Sequence, residues 1–107
     1  MQTKGKTVTV LVQPEIISAD KARKRANGWL AMNIGHLLRA NNPELILTPA
    51  FQLHWQVGIM LTSVEGKILG QVGLLELDIV TGKILSDINL YNDIISQVNA
   101  INKLVII

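Results

Sequence analysis

From Leu53 to Leu61 every second residue is apolar, with Leu53, Trp55, Val57, Ile59 and Leu61 set against His54, Gln56, Gly58, Met60 and Thr62. A period of two is that of a strand with one face on a core. Glu65, Gly66 and Lys67 supply a hairpin turn, and Ile68 to Val80 returns as a second long strand. Its outer half alternates Leu75, Leu77 and Ile79 with Glu76 and Asp78, whereas Val72 and Leu74 have the opposite parity. Gly70 and Gly73 lie where the parity changes, which predicts a β-bulge. Thr81 and Gly82 then turn the chain into a short strand, Lys83 to Leu85. Upstream, Glu44 to Thr48 forms a short strand before Pro49, and the β-branched run Thr7 to Val12 forms another, ended by Pro14.

Two segments follow the helical period instead. Ser18 is an N-cap residue with Asp20 in the first turn, and Ala22, Ala26, Trp29, Leu30, Ile34, Leu37 and Leu38 recur at threes and fours. This spacing predicts an amphipathic helix of about 22 residues, roughly 33 Å long, ending near Asn41 and Asn42 because Pro43 disfavours the α region before it. Leu90, Ile94, Ile95, Val98 and Ile101 predict a second helix over Asn89 to Leu104. Leu104 to Ile107 are four apolar residues at the end of the sequence, expected to be buried in this chain or another.

The 107 residues suffice for a core without staples, and with no Cys there is no disulfide, thiolate metal site or Cys nucleophile. Cytosol is the expected compartment. Leu45 to Val64 runs twenty residues without Asp, Glu, Lys or Arg, the length of a membrane span, but Pro49, Gln52, His54 and Gln56 interrupt it and its period is two. No membrane partner is expected. The net charge of +2 hides an asymmetry: seven basic against two acidic side chains in residues 1–40, three against six in residues 41–107.

Chemical motifs are few. Gly82-Lys83 is followed by Ile84 and lacks the upstream glycine of a phosphate loop, so the glycines are read as turn and bulge residues. His36 and His54 have no metal-ligand partner at motif spacing, and Ser18, Ser63, Ser86 and Ser96 have no adjacent base. No metal, cofactor or catalytic residue is expected. Glu76 and Asp78 do share a strand face about 7 Å apart, which leaves open a small-ligand or enzyme domain using them with His54.

The basic cluster says more. At about 100° per residue, Lys21, Lys24, Arg25, Gly28, Met32, Gly35 and Arg39 fall in one sector of the first helix, opposite Ala26, Trp29 and Leu37. A solvated face would carry Glu and Lys throughout, whereas Gly28, Met32 and Gly35 put an apolar, close-approach strip between basic ends. These seven residues are the expected partner-binding surface. The same charges open an alternative, salt-dependent nucleic-acid binding, but Trp29 belongs to the apolar stripe and the strands carry no aromatic platform, so nucleic acid is the less expected partner.

Ala19, Ala22 and Ala26 on a helix before a hairpin whose second arm closes Asp78-Ile79-Val80-Thr81-Gly82-Lys83-Ile84-Leu85 resemble the PepSY-type pattern. Over residues 15–100 the chain is also similar to small prokaryotic proteins, many cyanobacterial, with a Trp-x-Val-Pro-Ile, Gly-x-Val-Gly, Asp-x-x-Thr-Gly pattern. Trp55, Val57 and Ile59, then Gly70, Val72 and Gly73, then Asp78, Thr81 and Gly82 match it, while Gly58 replaces the Pro and questions an edge position for that strand. Some of those proteins are encoded beside PIN-domain ribonuclease toxins. The resemblance implies an antitoxin-like role, with Arg23, Arg25 or Arg39 paired to acidic groups of the partner.

Together these readings predict one α+β domain over residues 1–107, with an antiparallel sheet of four to five strands packed by a long N-terminal helix and followed by a C-terminal helix. Its expected role is non-enzymatic protein interaction, as a homo-oligomer or with an acidic protein partner.

Overall fold

The computed structural model describes residues 15–35, 37–85 and 88–106, the side chains of 88 and 104–106 excepted. Their order is α1 (Ala19–Asn33), β1 (Leu38–Ala40), β2 (Glu44–Leu47), β3 (Leu53–Thr62), β4 (Ile68–Asp78) and α2 (Ile88–Ile106). This is the expected α+β class, with a four-stranded antiparallel sheet between an early and a late helix. The expected strand Thr7 to Val12, together with His36 and Ser86, lies outside the described residues.

α1 begins as predicted, the Ser18 hydroxyl accepting the Lys21 amide at 3.1 Å. It is shorter than predicted, however, with 15 residues rather than about 22. The amides of Ile34 and Gly35 both donate to the Leu30 carbonyl at 2.9 Å, and the Asn33 side chain donates to the Trp29 carbonyl. Two amides on one carbonyl end the ladder. Leu37 to Ala40, which continue the helical spacing on paper, instead find a free strand edge: Leu38, Arg39 and Ala40 pair with Leu61, Met60 and Ile59. Leu38 and Ala40 are thereby buried, a gain that the lone continuation of the helix does not offer.

β3 is the centre of the sheet. β4 pairs along one of its edges from His54 to Thr62, while β1 and β2 share the other. These two are one interrupted strand: Asn41 donates its amide to the Gly58 carbonyl and Glu44 pairs with Gln56, so Asn42 and Pro43 both lie opposite Val57. A proline in a bulge is an edge-strand device, since it offers no N–H to an intruding chain. The β4 bulges also occur where the parity changed, Val72 and Leu69 being skipped between Ile59/Met60 and Leu61/Thr62. The predicted strand Lys83 to Leu85 is a single bridge, Leu77 to Ile84.

Both helices cover the same sheet face. Ala22, Ala26 and Leu30 of α1 are fully buried in one cluster with Val57, Ile59, Leu75, Leu77 and Ile94 of α2. A Cβ on Gly73 would lie 3.2 Å from Ile94 Cγ1 and 3.6 Å from Ile59 Cδ1, so the bulge glycine is where α2 sits on the sheet. The opposite face, carrying Arg39, Glu44, Ile46, His54, Gln56, Met60, Gln71, Leu74, Glu76 and Asp78, has no helix on it among the described residues.

Candidate functional site

The early end of α1 divides the expected basic surface. Lys21, Lys24, Gly28 and Met32 are exposed on the helix, Met32 at 87%, and beyond the adjoining helix backbone no described atom comes within 4 Å of where a Gly28 Cβ would be. Arg25 leans over the Gly82 turn, its Cγ and Nε 3.5 Å from the position a Cβ there would take. Gly35 lies beyond the helix and Arg39 lies on β1, on the open sheet face. The seven-residue sector is therefore corrected to a smaller one. Asp20 also neutralises part of it, bonding Arg23 at 2.7 Å and Lys24 at 3.2 Å. The Arg23 hydrogen bond and then Lys24 hold the Asp20 carboxyl below the usual aspartate range. Trp29 packs against the core, so it is not an outward stacking platform.

The open face brings together the histidine and carboxylates read from the strands. Register places Asp78 opposite His54 and Glu76 one pair along, and His54 Nδ1 meets Glu76 Oε1 at 2.8 Å. Asp78 is engaged elsewhere, its Oδ1 accepting the Val80 and Thr81 amides at 2.8 Å each, while Gly82 closes the turn at φ +73°. Those amides, Thr81 first, hold the Asp78 carboxyl below its ordinary value. Three His, Cys, Asp or Glu side chains poised around one ion do not occur among the described residues.

A carboxylate with a lowered folded pKa stabilises the fold above its unfolded value, and that stability is lost as pH falls through the folded one. Asp78→Asn keeps the acceptor oxygen and removes the charge. The advantage of the parent over Asp78→Asn in urea midpoint is expected to be constant near neutrality and to shrink below about pH 4. A gap that does not narrow on acidification would show that the turn does not use the charge.

The hairpin joining β2 to β3 is a feature that periodicity did not single out. Leu45 pairs with Trp55 and Leu47 with Leu53, on the core-side parity, yet Leu45, Leu47 and Leu53 are 47%, 61% and 44% exposed because the helices do not reach that end. Phe51 at the tip is 85% exposed and has φ 60°, a conformation an aromatic L-residue rarely adopts. Its amide donates to the Thr48 carbonyl, and Thr48 is held in turn by Gln52. The signal in the sequence was the uncharged run from Leu45 to Val64, whose length suggested only a membrane question. No helix of the described residues is long and apolar enough to cross a membrane.

Two larger clefts lie elsewhere on the surface. One of about 540 Å³ lies on the open face between Arg39, Asn41, Met60, Thr62 and Ile68. The other, about 400 Å³ and largely apolar, lies between the end of α1 and α2, against Ile34, Leu61, Leu69, Ile95 and Val98. The fold and these surfaces define a two-layer α+β domain with one sheet face left uncovered by the described residues. Comparison of the chain with family models, with curated proteins and with solved structures finds no match.

Proposed function

We propose that the protein is a non-enzymatic protein-interaction domain that captures a partner through the β2–β3 hairpin tip, with the basic residues of α1 favouring a partner of acidic surface. The observation that carries this reading is Phe51, held at φ 60° and 85% exposed. A left-handed aromatic costs about 1 kcal/mol of backbone strain, and here no burial within the described chain offsets it. Leu45, Leu47 and Leu53 extend the tip into an apolar patch of the kind that marks protein contacts. Lys21 and Arg25, which form no ion pair among the described residues, supply positive charge. An antitoxin-like role, with a PIN-domain toxin as the acidic partner, is the form of this reading that the PepSY-like and PIN-associated resemblance suggests. The enzyme alternative is weaker because Asp78 serves its own turn and neither described cleft is lined by His54 or Glu76.

Phe51→Gly separates function from folding. Glycine suits φ 60°, so thermal stability is expected to stay the same or rise, whereas an aromatic that served the fold would lower it when lost. A partner that co-purifies with the tagged parent chain from its native cell is expected to be lost from Phe51→Gly. A partner retained equally by both would remove the hairpin from the interaction, and a parent chain that retains none would remove the interaction reading.

A further inference from the structure

We infer that the sheet face left uncovered by the described residues is a self-complementary surface that receives a second copy of this chain about a twofold axis over Gly58. On this face the register is symmetric about Gly58: Arg39 is opposite Met60, two residues to one side, and Glu44 is opposite Gln56, two residues to the other, both on the same edge of β3. Across the other edge Gln71 is opposite Met60 and Glu76 opposite Gln56, with Leu74 opposite Gly58 itself.

Two sheets packed face to face, related by a twofold axis lying between them across the strands, superpose each position on the one equally far beyond the axis. Arg39 of one copy then lies over Glu44 of the second, and Gln71 lies over Glu76. Leu74, 50% exposed in a single chain, and the Asn41 side chain that lies over Gly58 each meet their own counterpart on the axis. The cleft walled by Arg39, Met60 and Ile68 lies on the side of the axis that receives Glu44 and Ile46 of the other copy. Charge and apolar groups thus match in a closed pair, and twofold symmetry makes every contact twice. An unrelated partner would have to supply this alternation by chance. This contact is separate from partner capture at the hairpin tip and does not rest on it.

Light scattering of the full chain reads the proposal. The parent is expected at twice the 11.8 kDa chain mass. Arg39→Glu alone and Glu44→Arg alone are each expected to weaken the dimer at least tenfold, on the order of the penalty for opposed like charges counted twice. The double variant Arg39→Glu with Glu44→Arg is expected to restore it, with far-ultraviolet circular dichroism confirming that both single variants fold. Leu74→Asp, whose charge would meet itself on the axis, is expected to be monomeric. A monomeric parent at millimolar concentration would overturn the proposal, as would a dimer indifferent to the single reversals or single variants that the double change does not rescue.

Discussion

Gly58→Pro is expected to destabilise the protein by about 3 kcal/mol or more, a fall in melting temperature on the order of 10–20 °C. β3 lies between two neighbours here, and both backbone groups of Gly58 are used on the β1 edge: its amide donates to Asn41 Oδ1 at 2.6 Å while its carbonyl accepts the Asn41 amide at 2.9 Å. Proline removes the donor and adds ring atoms where a Cβ already lies 2.6 Å from Asn41 Nδ2 and 2.9 Å from Gln71 Oε1. Gly58→Ala is the control. It keeps the amide, and both obstructing atoms end movable side chains, so its cost should be about 1 kcal/mol, that of displacing one hydrogen bond. Asn41→Ala should cost a similar amount and be non-additive with Gly58→Ala. Equal losses for alanine and proline in urea titrations would mean that the amide does not matter. A proline belongs on an edge strand, and here β3 is central, with β4 on one side and β1 and β2 on the other.

The same residue marks the boundary of what could be read from the sequence. Alternation located β3 to the residue, Leu53 to Thr62, because a strand with one buried face leaves a strict imprint on composition. The glycines of β4 likewise marked real bulges, since only a parity change reconciles Val72 with Leu75. α1 was overextended because Leu37 and Leu38 satisfy both periods: as helix they continue the stripe from Ile34, and as strand Leu38 and Ala40 face the core. Nothing local decides between them; pairing with β3 from 19 to 23 residues away does. The partner surface inherited this error, since Gly35 and Arg39 were assigned to a helix face that stops at Asn33. The hairpin tip was invisible for a different reason. Leu45, Leu47 and Leu53 have core parity, and only the place where the helices end leaves them uncovered.

Ile94→Ala is expected to cost about 3 kcal/mol, within the usual range for truncating a fully buried aliphatic side chain. Its effect should fall on the attachment of α2, because Ile94 is fully buried, while Leu90, Val98 and Ile101 beside it are only partly buried. The glycine under it allows a sharper test. Gly73→Ala alone places a methyl group 3.2 Å from Ile94 Cγ1, tighter than ordinary contact, with Ile59 Cδ1 at 3.6 Å from the same methyl group. The helix must lift or Ile94 must turn, and overpacking of this kind costs about 1–3 kcal/mol. In the Ile94→Ala background the obstructing Cγ1 is gone, so the added methyl group enters vacated space and recovers part of the lost burial. The double variant should therefore be more stable than the sum of the single losses predicts, by about 1 kcal/mol or more. Hydrogen exchange would locate the change: amides of α2 should lose protection in either single variant and regain part of it in the double, while β3 amides follow global stability throughout. Additive losses would mean that the closeness of α2 to the sheet does not depend on the absence of a side chain at Gly73, and that the β4 bulge serves the course of the strand rather than the seating of the helix.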